Sequence, residues 1–275
     1  MYGLGQEWLL HDGVVVPRAI ALSHESERAL LTDSTPSATD RAVLTGDPCY
    51  DRILISAGRR KEFRQRLGAS PATTVVTVSS TWGGTSLFGD NPDLFDEIIS
   101  QLPIDDYVVA AILHPNIWYG HSPRQVRSWL RDAIRSGLKL IPPDRGWQQA
   151  ILASDVVIGD NGAVTGYASA AGIPTLLATF PGVVPGTAIA AMGSTTPRLT
   201  RGRLEPQLHD ALKTHTPSPT KDLVTSAPGQ AAERLRRLAY SLMNLTEPNR
   251  TARRSPSPWR PPTSPPSPKH PERSG

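Results

Sequence analysis

Ser154-Asp155-Val156-Val157-Ile158-Gly159-Asp160-Asn161-Gly162-Ala163-Val164-Thr165 opens the stretch, running on to Phe180, whose reading decides the fold. Asp155–Ile158 is a short apolar, β-branched run, the pattern of a strand buried on both faces. Gly159-Asp160-Asn161-Gly162 is turn chemistry. Ala163–Ala171 is small, uncharged and compatible with a helix, and Gly172-Ile173-Pro174 stops it. Thr175–Ala178 then reads as a second strand. A helix that opens just past the carboxyl end of a parallel strand points unpaired backbone N–H groups into the crevice where open α/β sheets bind ligands. Such a helix start suits a phosphate, each favourable charge adding roughly 0.3–2 kcal/mol. The same pattern fits any βαβ unit, so the stretch by itself defines an anion-compatible edge and not a ligand.

Working outward, the chain alternates strand and helix. Helical stretches at Tyr50–Ser56 and Arg59–Leu67 precede a strand at Thr73–Ser79. Helix Pro92–Gln101, strand Tyr107–Leu113, helix Pro123–Arg135, strand Leu138–Ile141 and helix Trp147–Leu152 lead into the central stretch. This alternation predicts an α/β fold, a parallel sheet with helices on both faces, over residues 46–215. Residues 1–45 offer strand candidates at Val14–Val16, Ile20–Ser23 and Val43–Thr45 and a helix at His24–Leu31. That is too little for an independent core, and it reads as the end of a preceding unit. A further helix is expected at Leu204–Lys213. Residues 216–246 read as a linker and an amphipathic helix, Gln230–Leu245, with Leu235, Leu238, Leu242 and Leu245 on one stripe and Arg234, Arg236 and Arg237 opposite. Residues 247–275 are rich in Pro, Ser and Arg and poor in apolar groups, the composition of a disordered tail.

Composition narrows the function classes. Apolar residues make up 38% of 275, enough for a real core. The single Cys49 rules out an internal disulfide and fits a reducing, cytoplasmic setting; with scattered His it also leaves no structural zinc set. The N-terminus lacks a basic-then-apolar secretion pattern. A charge-free stretch from Asn161 to Pro197 is broken by Gly172, Pro174, Pro181, Gly182, Pro185 and Gly186, so no apolar helix of about 20 residues fits it. The net charge of +4 resides in residues 246–275, where six Lys/Arg stand against two Asp/Glu. The rest of the chain is neutral, and basicity therefore does not mark the folded part as a nucleic-acid binder. The tail's charge suits salt-sensitive contact with an anionic membrane surface or nucleic acid.

Three segments follow strands and should gather at the carboxyl edge of the sheet. In Ser79-Ser80-Thr81-Trp82-Gly83-Gly84, hydroxyls, N–H groups and flexible glycines suit phosphate contact, and Trp82 suits stacking on a base or sugar. In the loop Leu113–Trp118, His114 sits where the strand leaves the sheet, with Pro115 holding its backbone extended. There it is a candidate phosphate donor or acid–base group near neutral pH, and equally a structural histidine. The Asp160–Thr165 turn is the third.

These segments, in this order, resemble the C-terminal nucleotide-binding domain of GT-B-fold transferases. They are nearest the CDP-glycerol glycerophosphotransferase group and more distantly similar to the UDP-N-acetylglucosamine 2-epimerases. Gly46-Asp47-Pro48-Cys49-Tyr50-Asp51 resembles the Gly-x-Pro-Arg-x-Asp entry segment of that group, Thr81-Trp82 its Thr-Trp-Arg loop, and His114-Pro115 its Arg-x-His-Pro. Ser154-Asp155 through Asp160 resembles the Ser-Asp-(apolar)-Asp run that leads into the donor-phosphate helix. The likeness covers roughly residues 40–180 and, weakly, the Gln230–Leu245 helix. Gly83 stands where the transferases carry Arg, and Asn161-Gly162-Ala163 replaces Tyr-Ser-Ser. The helix-capping hydroxyls are thus gone, leaving backbone N–H groups and Thr165.

The resemblance implies a Rossmann-like sheet forming the C-terminal half of a GT-B fold, binding a CDP- or UDP-linked nucleotide-diphosphate donor for transfer to a cell-envelope acceptor. It implies His114 as the catalytic group. Ser80, Thr81, Trp82, Gly83, Pro115, Asp160, Asn161, Gly162, Ala163, Val164 and Thr165 are the implied donor contacts, with no metal or other cofactor required. It also implies a facing N-terminal domain, of which residues 1–45 are read as a remnant, or a partner chain. Two rivals are an epimerase-like isomerase, which needs paired acid and base groups, and a non-catalytic nucleotide-binding module, favoured by the Gly83 and Ala163 departures.

Overall fold

The structure is a computed structural model that describes residues 3–249 and Pro256; the rest of the tail expected at 247–275 lies outside the described residues. Described strands, numbered in chain order, are β1 Leu10–His11, β2 Val14–Val15, β3 Ile20–Leu22, β4 Ala42–Leu44, β5 Thr74–Ser80, β6 Tyr107–Leu113, β7 Lys139–Ile141, β8 Val156–Gly159 and β9 Thr175–Leu177. The last five form one parallel sheet in the order β7-β6-β5-β8-β9. This is the expected α/β sheet with helices on both faces. Its strand order reverses at β5, so the carboxyl ends of β5 and β8 flank a topological switch point.

Burial on two faces explains the continuous apolar runs. Val76, Val78, Val156 and Ile158 pack against Phe95, Trp118 and Leu208 on one side. Val75 and Val157 pack against Tyr50, Phe63, Ile151 and Ala168 on the other. Asp155 ties down the amino edge. Its carboxylate pairs with Arg60 and Arg64, both at 2.6 Å, and accepts the Val75 N–H at 2.8 Å. Ser154 donates to Thr77 at 2.6 Å. The Ser-Asp pair of the motif is therefore an anchor at the amino end of the sheet, opposite the loops that follow β5 and β8.

Residues before Gly46 form a small unit of their own. β3 and β4 pair in parallel around helix Ser26–Ser34, over a cluster of Leu9, Ile20, Leu22, Leu31 and Ala38. The C-terminal segment ties this unit to the main sheet's helices. Ser226 N–H donates to the Ser23 carbonyl, Arg234 to the Leu44 carbonyl, and Ala231 N–H to Asp51. Helix Ala231–Leu242 half-buries Leu235 and Leu238 and leaves Leu242 and Leu245 exposed.

Several boundaries differ from the expectation. Pro123–Arg135 is two helices, Pro123–Trp129 and Arg131–Arg135, broken at Leu130. Pro92–Gln101 is Leu94–Gln101, preceded by a short helix at Leu87–Asp90 capped by Ser86. Helices Pro115–His121, Ala188–Thr195 and Thr220–Val224 were not expected; they bury Ile117 and Trp118, Met192, and Thr220 and Val224 respectively.

β8 and the helix that follows it approach closely. A Cβ at Gly159 would collide with the side chain of Thr165, so only glycine allows this packing. Gly159→Ala is expected to destabilise the fold by about 1–3 kcal/mol. Urea unfolding of the two single variants and of Gly159→Ala/Thr165→Ala should show the double variant less destabilised than the sum. Strict additivity would mean the collision is not the reason for the glycine.

Candidate functional site

The loops after β5 and β8 meet at the switch point because one carboxylate joins them. Asp160 is fully buried. Its Oδ2 accepts the N–H of Thr81 at 2.8 Å and of Leu87 at 3.0 Å, and its Oδ1 accepts the N–H of Gly162 at 3.0 Å. Burial pushes this carboxyl above its ordinary pKa, while the N–H donors of Leu87, Thr81 and Gly162 pull against that rise.

Gly162 caps helix Ala163–Ala170 with extended backbone and no side-chain cap. The opening N–H groups of the helix have no partner within it. Ala163 is exposed there, and Val164 is half-buried. Gly162 lies against Thr81: a Cβ on it would come 3.4 Å from the Thr81 Cβ and 3.0 Å from Asp160 Oδ1.

The third segment joins from β6, where His114 N–H donates to the Ser80 carbonyl at 3.0 Å. Leu113–Trp118 is not a loop. His114 caps helix Pro115–His121 directly, and Ile117 and Trp118 are buried core residues. The His114 Nδ1 accepts the Asn116 N–H at 3.1 Å, which places the proton of the neutral ring on Nε2. Burial holds its pKa below the ordinary value, with the Asp160 charge opposing. Trp82, 45% exposed, lies with its ring centroid 6.2 Å from that of His114.

These segments wall a cleft of about 530 Å³, lined by Thr81, His114, Pro115, Gly162, Ala163 and Val164. Pro142, Pro143 and Trp147 complete it. They come from the segment after β7, a fourth contribution to the same edge that the sequence reading passed over. The Pro-Pro pair directly after a strand was the available signal. On the far side of the helix start, Ala163, Gly166 and Tyr167 face Ser23, Ser26 and Glu27 of the N-terminal unit across a second hollow of about 570 Å³. Asp47 lines it too, accepting the Tyr167 hydroxyl at 2.7 Å and capping helix Pro48–Ser56.

Three residues assigned to donor contact turn inward. The Ser80 hydroxyl accepts the Phe88 N–H and donates to the Thr81 carbonyl, both at 2.9 Å. Asp160 stitches loops. Thr165 is fully buried beneath the helix, and its hydroxyl has no partner. Gly83 sits at φ 92° in the turn, where its carbonyl accepts the Ser86 hydroxyl and N–H, so an ordinary side chain would be strained there. Asn161 is half-buried with its Oδ1 unpartnered. Among the described residues, no group of three or more His, Cys, Asp or Glu is placed to hold a metal ion.

An open parallel sheet of this order, with its crevice between β5 and β8, is a Rossmann-like domain, and its likeness to the solved structures below is that of a GT-B half. Solved structures show the same fold. The chain is similar to a histidine-to-alanine variant of the wall teichoic acid polymerase TagF, at 15% identity and TM-score 0.57, covering 82% of this chain and 58% of that one. It is similar to a TagF variant soaked with CDPG, at 14% identity and TM-score 0.53 over the same shares. It is also similar to the UDP-GlcNAc 2-epimerase of Methanocaldococcus jannaschii in complex with UDP-GlcNAc and UDP, at 13% identity and TM-score 0.50, covering 81% of this chain and 61% of that one. At these identities the likeness is one of fold, and the chain spans about three-fifths of each. No protein-family model and no curated protein matches it. No described helix is long and apolar enough to cross a membrane.

Two outcomes follow from the site's geometry. Asp160→Asn puts an amide NH₂ against a backbone N–H and should destabilise the protein by about 1–3 kcal/mol in chemical denaturation; unchanged stability would remove Asp160 from its bridging role. His114 has a lowered folded pKa, so its contribution is present above the unfolded value of about 6.5 and is lost as pH falls through the folded value. The stability advantage of the wild type over His114→Ala, about 1 kcal/mol for a lost cap, should therefore hold at alkaline pH and shrink under acid. An advantage that grows on acidification would contradict this.

Proposed function

We propose that the chain is the donor-nucleotide-binding part of a glycerophosphotransferase- or glycosyltransferase-like enzyme, with residues 46–215 as the donor domain and a CDP- or UDP-linked nucleotide diphosphate as ligand. The observation that carries this reading is the uncapped start of helix Ala163–Ala170 at the switch point, beside Thr81 and His114. The diphosphate sits on the N–H groups at Ala163 and Val164, where helix dipole and free donors favour an anion. His114, neutral and carrying its proton on Nε2, donates to the same anion. Trp82, exposed at the mouth, covers the base or sugar.

In the reaction, an acceptor hydroxyl attacks the transferred group and the bond to the nucleotide breaks. The acceptor's proton passes to a base, and the nucleotide leaves with its new negative charge held by the helix start and His114. The acceptor and that base come from a facing domain or a partner chain, and positioning of this kind accounts for roughly 7–11 kcal/mol of barrier lowering. The hollow bounded by Ser23, Ser26, Glu27 and Asp47 suits a hydroxyl-rich transferred group. An isomerase reading ranks lower, because both of those carboxylates are already engaged. Glu27 accepts the N–H groups of Ser23 and His24, and Asp47 those of Cys49 and Tyr50. A non-catalytic nucleotide-binding module is the second reading, favoured by the burial of the Ser80 and Thr165 hydroxyls.

Ala163→Asp separates fold from function. A carboxylate in the first turn complements the helix dipole, so stability should stay level or rise by about 0.3–1 kcal/mol. The same carboxylate occupies the anion site, so calorimetric titration with CDP or UDP should show binding weakened at least about tenfold, or about 1.4 kcal/mol. Equal binding by wild type and variant would move the phosphate site elsewhere.

A further inference from the structure

We propose that the chain's own basic, proline-rich segment, residues 250–275, docks in an acidic groove on the edge of the domain opposite the cleft. The groove, about 960 Å³ with its open mouth, runs between the segment leading into β6 and the turn before β7, and is lined by Asp96, Ile99, Pro103, Ile104, Asp132 and Ser136. Its floor is apolar. Ile99 packs on the core, and Ile104, 68% exposed, leans over Gly137, where a Cβ would come 2.8 Å from its Cδ1.

The charge around it is one-sided. Residues 67–123 contain no Lys or Arg but include Asp90, Asp93, Asp96, Glu97, Asp105 and Asp106. The nearest cations in the chain on that side are Arg131 and Arg135 on helix Arg131–Arg135 and Lys139 at the start of β7. Arg135 pairs with Asp132 at 3.7 Å, while Arg131 donates to Ser128. Asp96 has no basic neighbour on its own helix, Leu94–Gln101. The side chains thus offer a negative, partly greasy trough.

Residues 250–275 supply the complement. They hold six Lys/Arg against one acid, eight prolines and one aromatic, Trp259, in the run Ser255-Pro256-Ser257-Pro258-Trp259-Arg260-Pro261-Pro262. Prolines fix φ in advance, so binding as an extended segment loses little conformational freedom. In chemistry Trp259 matches the apolar floor of Ile99 and Ile104, and the charges of Arg253, Arg254 and Arg260 complement those of Asp96 and Asp132. Twenty-six residues reach about 80 Å when extended, at about 3.1 Å each, against a radius of gyration of about 18 Å for a domain of this size. Tethering raises the effective concentration to the millimolar range, so a weak contact is enough. The groove lies at the amino ends of β6 and β7, so docking leaves the cleft open.

The test uses the full chain. Trypsin cleavage after Arg253 and Arg254, followed by mass spectrometry, is compared with cleavage of a free peptide of residues 250–275. At low salt the full chain should be cut about tenfold more slowly, because cleavage tracks the undocked population. High salt, Asp96→Lys/Asp132→Lys and Trp259→Ala should each restore the peptide's rate. Melting curves of the double variant guard against misfolding, and Trp259→Ala leaves the described core untouched. Cleavage of the wild type as fast as the peptide, or protection that survives both sets of substitutions, would overturn the proposal. Protection that grows with protein concentration would put a second copy's segment in the groove and overturn the intramolecular contact.

Discussion

The loop geometry at the carboxyl edge of the sheet depends on one buried carboxylate. Asp160 accepts three backbone N–H groups from two loops: Thr81 and Leu87 after β5, and Gly162 after β8. Burying an ion costs several kcal/mol, and N–H bonds to a charged acceptor return roughly 1.5–3 kcal/mol each. The balance is therefore struck locally, and it favours the loop geometry that fills all three bonds. That geometry presses Thr81 against Gly162 and turns the helix start outward.

The rest of the site is arranged around that constraint. Gly159 lets the helix sit close to its strand, and Thr165 fills the space beneath it. His114 caps its own helix through Nδ1, which leaves a neutral N–H donor beside an anion-compatible helix start. The anion site we propose is therefore built from backbone N–H groups and a neutral imidazole. On that reading, phosphate is held by pre-aimed dipoles in a partly desolvated cleft, not by fixed positive side chains.

Much of this architecture was legible in the sequence. β5, β6, β8 and β9 follow from β-branched runs buried on two faces, and the switch-point loops follow from their order. The roles of Ser80, Asp160 and Thr165 were not legible, because a polar residue in a turn has the same one-dimensional signature whether it faces a ligand or satisfies the backbone. Helix Pro115–His121 was missed because it is two turns held by Ile117 and Trp118 in the core. The cleft wall at Pro142-Pro143 was missed because those residues carry no chemistry of their own; only the sheet order brings them to the same edge. The spacing of Asp160 from the β5 loop, 79 residues from Thr81, carries no sequence signal at all.

The central claim is that a nucleotide diphosphate rests on the helix start at Gly162–Val164. Nitrogen-resolved NMR of the labelled protein during titration with CDP or UDP tests it most directly. The account predicts saturable shifts concentrated in the amides of Ala163 and Val164, the Trp82 indole N–H and the His114 ring, with little change in Arg60–Leu67 at the opposite edge. Saturable shifts that cluster elsewhere, or none at all at millimolar nucleotide, would contradict it.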